Sequence, residues 1–333
     1  MSLLPPLLFL DFLADRQLNP AAILFKFTDA DNDALPLVSL LDDPACLALL
    51  EEFPCFVGSA EVRRFSPDAW QGLEKAGLRE LADDHLFSPK TLSGLEMPAS
   101  AQWVAGNGVF AAPAKASKSQ TTSRLLALKL LERVTADGDI RDIEEIFRRD
   151  PGLSYHLLKI VNSVGMGSGR KISSLAQAIL ILGRQQLKRW LSLMLFSAAK
   201  EDRRSAMLLA RATVRARSME LLAKRAGLDR AWQELAFMAV MFALLGVLFD
   251  LPLAEILKPL HISDVLVGAL LRHENDLGEL LRTVEMAESG NALELVRLLT
   301  DLGLSPLDFN LLTLEAHLWM LRFVCANQEG SHA

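Results

Sequence analysis

The side chains best suited to chemistry in this 333-residue chain are few and scattered. His273, Glu274 and Asp276 in LLRHEND join an imidazole to two carboxylates, donors that suit zinc or another divalent ion. They fall at a helix-to-loop junction, where the same residue types form a solvated C-terminal cap, and the cap is the expectation. Asp83-Asp84 in ELADDHLF pairs two carboxylates and is expected in a turn or cap. His156, beside Tyr155 in an apolar-periodic stretch, is expected to hydrogen-bond to backbone, and His261, after Pro259, to lie at the surface. Gly165, Gly167 and Gly169 in VGMGSG imitate a dinucleotide loop but follow a helical pattern instead of a strand, so free helix amides for a phosphate are not in place. No P-loop, HExxH or GxSxG run occurs, and Cys46, Cys55 and Cys325 are too widely spaced for a metal cluster or a disulfide framework. These readings predict no catalytic residue, no metal ligand set and no cofactor.

Charge is more informative than any single motif. The chain carries a net −6, yet residues 184–230 hold 12 basic and 4 acidic groups, a local +8, while 231–333 hold 5 basic and 14 acidic, or −9. Charged residues of this kind ordinarily solvate helix faces. The functional expectation is that Arg184, Lys188, Arg189, Arg211 and Arg215 form a face for an acidic partner, where complementarity sets encounter rate and specificity. Nucleic-acid binding through the same basic stretch is an alternative that the overall acidity disfavours.

The elements that must position these residues are mostly helical. Apolar content of 51% supports a sizeable core, and Leu- and Ala-rich composition with one Tyr favours helices. Residues 1–110 read as a small mixed α/β or α+β domain, with extended candidates at 22–27, 53–57 and 102–105. Helix starts are marked by Asp43-Pro44 and by Ser66-Pro67-Asp68. The small, polar AAPAKASKSQTT at 111–122 is expected to be a linker, followed by a helical domain at 123–326 and a flexible tail at 327–333. Helices are predicted near 124–136, 142–149, 151–162, 174–182, 184–199, 203–226, 229–249, 253–258, 263–273, 276–289, 291–301 and 305–326. The longest apolar run, Leu235 to Phe249, is fifteen residues and suits a buried helix better than a membrane span. No secretory signal is read in MSLLPPLLFLDF, and a reducing cytoplasm is expected from the unpaired cysteines.

The stretch Asp150 to Trp190 resembles the signature of the HDOD family, bacterial signalling domains related to the HD metal-dependent phosphohydrolases. The residues that carry the likeness are Asp150-Pro151, Leu157-Leu158, Val161-Asn162-Ser163, Lys171-Ile172-Ser173-Ser174, Ala178, Leu182-Gly183, Leu187 and Trp190. A looser likeness runs from about Arg124 to Phe323. The resemblance implies a mainly α protein with a C-terminal HD-like bundle. It also implies that the positions which hold metal ligands in HD enzymes are vacated here, by Arg217, Ala243 and Leu244. The expectation that follows is a non-catalytic, cytoplasmic signalling protein whose HDOD domain binds another signalling protein, without a membrane, and with self-association open. The alternative is a metal-dependent phosphodiesterase acting on cyclic di-GMP or a related phosphoester. HDOD domains often follow an EAL-type cyclic di-GMP phosphodiesterase barrel, and residues 1–110 resemble a shrunken remnant of one in WVAGNGVFAAP and Asp83-Asp84, so such a remnant is also an expectation of the resemblance.

Overall fold

A computed structural model describes residues 7–28, 40–90, 97–110, 189, 192–193, 204–258 and 262–328. The expected linker, most of the 150–190 stretch, the helices predicted between 124 and 199 apart from residues 189, 192 and 193, His156 and His261 lie outside those residues.

The N-terminal part contains β1 (Leu8–Ala14), β2 (Pro20–Phe27), α1 (Pro44–Glu52), β3 (Cys55–Gly58), the single turn α2 (Ser59–Val62), α3 (Pro67–Lys75), β4 (Leu78–Leu81), β5 (Leu86–Phe87) and β6 (Trp103–Val104). They form one six-stranded sheet in the order β4-β3-β2-β1-β6-β5. β1 and β2 are an antiparallel hairpin in which Leu8 faces Phe27 and Leu13 faces Ala22. The Asp15 carboxylate closes its turn by accepting from the amides of Gln17 and Asn19 at 2.9 and 2.8 Å. β3 and β4 then add in parallel. α1 is capped by Asp43, whose side chain accepts from the Ala45 and Cys46 amides with Pro44 in the first turn, and α3 by Ser66 ahead of Pro67. This open mixed sheet is not an eight-stranded barrel, and it gives the expected barrel remnant no support.

The described C-terminal part is entirely helical: α4 (Ser205–Arg225), α5 (Arg230–Ala243), α6 (Leu245–Phe249), α7 (Leu253–Leu257), α8 (Asp264–Arg272), α9 (Asn275–Ser289), α10 (Ala292–Asp301) and α11 (Pro306–Gln328). The protein is mainly α with an α+β N-terminus, as its composition predicts. The predicted 229–249 helix is broken at Leu244 into α5 and α6. By length and composition Arg230–Phe249 could cross a membrane, but 56% of its most apolar window is buried within the chain.

Sheet and bundle share one core. Leu8, Ile23, Phe25, Leu49 and Val57 belong to the same buried cluster as Leu208, Ala212, Met219, Phe237, Phe242 and Met320. α11 joins the two because it is apolar almost all round and packs on α4, α1 and β1 at once. The Leu8 amide donates to Asn310 Oδ1 at 2.8 Å, and Phe9 and Phe309 meet at 6.5 Å between ring centres. Burial of these faces, at about 25 cal/mol per Å² of apolar surface, fixes one face of the sheet against the helices.

One close approach depends on glycine. A Cβ at Gly278 would lie 2.2 Å from the carbonyl carbon of His273, where α8 ends and α9 begins. Gly278→Ala is therefore expected to destabilise the chain by about 1–3 kcal/mol through overpacking, read as a lower urea midpoint. An unchanged midpoint would contradict this contact.

Candidate functional site

Two of the charged constellations in the described structure involve residues singled out from the sequence. The first surrounds the position at which the family resemblance would look for a metal. Arg217, on α4, donates to Glu220 at 2.8 Å and to Glu315 of α11. Arg189 donates to the same Glu220 at 2.7 Å and to Glu234 of α5 at 2.6 Å, while its guanidinium stacks 4.4 Å above the Phe237 ring. Ala243 and Leu244 offer hydrocarbon only. A guanidinium and two apolar side chains do not fit a divalent cation, and no group of three His, Cys, Asp or Glu converges among the described residues. Instead, Arg189 and Arg217 cross-link α4, α5 and α11.

The second constellation lines a cleft of about 290 Å³ between the sheet and the bundle. β1 contributes Leu8 to Phe12 to its wall, β2 contributes Lys26, and the turn after β6 contributes Asn107 and Phe110. From the helices come Arg211 and Arg215 of α4, Glu288 of α9, and Phe309, Thr313 and His317 of α11. Helical spacing places Arg211 and Arg215 one turn apart on the same face. Both donate to Glu288, Arg211 through Nε at 3.1 Å and Arg215 through Nε at 2.7 Å. The Arg211 guanidinium also lies 4.5 Å from the centre of the Phe110 ring. Asp11 is ion-paired with Lys26.

Burial alone would raise the Glu288 carboxyl, but Arg215 and Arg211 outweigh it and hold the group down at about 2. Reciprocally, burial would lower the Arg215 guanidinium, and Glu288 raises it above its ordinary range. His317 is buried, and desolvation pushes it down to about 4 against the opposing carbonyl of Thr313, which accepts from Nδ1 at 2.7 Å. The imidazole is neutral at pH 7. Both shifts give stability that rises with pH. His317 favours folding fully above its unfolded value of 6.5, and that contribution is lost as pH falls toward 4; the Glu288 contribution is lost from about 4.5 toward 2. His317→Gln is expected to flatten the upper limb of a stability-against-pH curve and leave the lower one, a result that denaturant melts between pH 7 and pH 3 would check.

The sequence-predicted residues are distributed unevenly over these features. Arg184 and Lys188 lie outside the described residues. Arg189, Arg211 and Arg215 do not present a common solvent face: Arg189 and Arg215 are buried, and all three are ion-paired with carboxylates of the same chain, Arg211 and Arg215 sharing Glu288. Their charge was legible, but their partners lie 31 to 77 residues away. His273 adopts a left-handed conformation as the C-cap of α8, and its Nε2 meets Glu285 at 2.9 Å, in keeping with the cap reading. Asp83-Asp84 begins a short 3-10 turn. Glu288, His317, Asp11 and Asn107 were not singled out from sequence. Only His317 carried a signal, as a lone imidazole in the apolar run of α11. Cys46 and Cys55 are buried, and desolvation pushes both thiols up to about 12, so neither is a ready nucleophile.

The chain carries an HDOD domain, with residues 125–289 matching that family's model. It is 33% identical to "Uncharacterized protein YuxH" of Bacillus subtilis strain 168 over 156 residues, 46% of this chain and 37% of that protein. It is 28% identical to "Cyclic di-GMP phosphodiesterase CdgJ" of Vibrio cholerae serotype O1 over 196 residues, 59% of this chain and 45% of that protein. The chain thus spans less than half the length of these curated relatives. A solved structure of a Shewanella amazonensis SB2B protein, provisionally named a phosphohydrolase, aligns with 63% of this chain and 98% of its own at 15% identity and a TM-score of 0.39. The likeness to CdgJ corrects the expectation of a non-catalytic protein. A relative aligned over 196 residues is named for a phosphodiesterase, so vacancy at positions 217, 243 and 244 is not enough to exclude enzymatic activity.

Proposed function

We propose that this chain acts in cyclic di-GMP signalling as a phosphodiesterase on cyclic di-GMP or a closely similar phosphodiester, with the cleft between β1 and α4 receiving a phosphate. The observation that carries the reading is the 196-residue likeness to CdgJ. The cleft supports it chemically. Arg211 and Arg215 hold one carboxylate between two cations, so the pair keeps a surplus positive charge in a partly desolvated place. Such cations stabilise the charge that gathers on phosphoryl oxygens as an ester bond breaks. Phe9, Phe12, Phe110 and Phe309 supply apolar walls that limit water around the bound group. A divalent metal would activate the attacking water in an HD-type reaction, but the described residues do not fit one. A cytoplasmic setting belongs to the same proposal.

Hydrolysis adds a water oxygen to phosphorus, breaks one phosphorus–oxygen ester bond and returns a proton to the leaving hydroxyl. The test is incubation of the purified full chain with cyclic di-GMP, with and without Mg²⁺ or Mn²⁺, and chromatographic separation of the linear dinucleotide. Linear product above the protein-free control is expected. Its absence under every ionic condition would contradict the proposal.

A further inference from the structure

We infer that the cleft recognises a single guanine nucleotide unit, so that a cyclic dinucleotide is held by one half. The inference takes from the functional reading only the identity of the base. The cleft's volume of about 290 Å³ lies just below the ~300–1,000 Å³ typical of small-molecule sites, which suits one base, one sugar and one phosphate and not a whole cyclic dinucleotide. Two guanidiniums on a single carboxylate are one negative charge short, and a phosphate oxygen completes the set with charge-assisted hydrogen bonds. Rings from β1, α11 and the turn after β6 offer flat apolar faces to a base; Phe12 already packs 5.2 Å from the His317 ring.

Asp11 supplies the discrimination. Its carboxylate stands on β1 at the rim of the cleft, paired with Lys26 and still 38% exposed. A carboxylate accepts two parallel hydrogen bonds from neighbouring N–H donors. Guanine presents two such donors side by side at its pairing edge. Adenine presents a ring acceptor there, which a carboxylate repels. Asn107 adds an amide able to donate and accept at the same rim.

The experiment is calorimetric titration of the full chain with 5′-GMP, 5′-AMP and inorganic phosphate, beside the cyclic di-GMP turnover assay. GMP is expected to bind at least about tenfold more tightly than AMP or phosphate, and Arg211→Ala to weaken GMP by about tenfold or more, the scale of one hydrogen bond to a charged group. Asp11→Asn, a change at a half-exposed position outside the buried core, is expected to abolish the preference for GMP over AMP. Equal affinity for GMP and AMP, or a preference that survives Asp11→Asn, would overturn the inference. So would turnover of cyclic di-GMP without measurable GMP binding, which leaves the functional reading standing. GMP-selective binding without turnover retains the inference and removes the phosphodiesterase reading.

Discussion

Glu288→Ala is expected to lower stability by about 3–5 kcal/mol, the usual consequence of removing one partner from a buried charge pair. The physical reason is specific to this site. Arg215 is 8% exposed, and Glu288 is the carboxylate to which both it and Arg211 donate. Deletion leaves two guanidiniums facing one another in a medium that solvates them poorly, and their mutual repulsion adds to the desolvation cost. Glu288→Gln preserves the shape and some hydrogen bonding but not the charge, so a smaller loss is expected, together with disappearance of the acid limb between pH 4.5 and pH 2. Thermal or urea unfolding at pH 7 checks the first statement, and unfolding across that acid range checks the second. A Glu288→Ala chain as stable as the parent would show that the guanidiniums find other anions.

Arg211→Ala is expected to reduce kcat/KM for cyclic di-GMP by about 10–100-fold. Hydrogen bonds to charged groups contribute about 1.5–3 kcal/mol, and each 1.36 kcal/mol is a factor of ten in rate. Arg211 is the more accessible member of the pair, and Arg215 stays paired with Glu288 when it is removed, so the fold is expected to survive. Arg297→Ala removes the same charge from an exposed ion pair on α10 and serves as the control, with unchanged turnover expected. If both variants lost activity equally, net charge and not the cleft would be responsible.

The elements were more legible in the sequence than the site was. Asp43-Pro44 and Ser66-Pro67 mark α1 and α3 because a capping oxygen and a preset φ act within four residues, and the punctuation at Gly227, Gly290 and Gly303 bounds helices for similar local reasons. β1 escaped because LLFLDFLA has too little alternation to declare a strand: its burial is settled by β2 on one side, β6 on the other and α11 beneath. The break at Leu244 escaped too, since an unbroken apolar run carries no sign of where a helix ends. The cleft was hidden for a different reason. Arg211 and Arg215 lie 77 and 73 residues from Glu288, and Leu8 is 302 residues from Asn310, so the chemistry exists only once α11 has been laid against the hairpin. A single sequence shows that the cations are there but not which anions neutralise them. That gap is why a basic stretch read as an outward docking face is, at its described positions, largely an internal cross-link.

The most direct measurement of where the chemistry resides is a crystal structure of the full chain soaked with a non-hydrolysable cyclic di-GMP analogue. Ligand density against Arg211, Asp11 and Phe12, with a phosphate oxygen within hydrogen-bonding distance of the Arg211 guanidinium, is the predicted result. Density seated instead beside Arg217, Ala243 and Leu244 would contradict it.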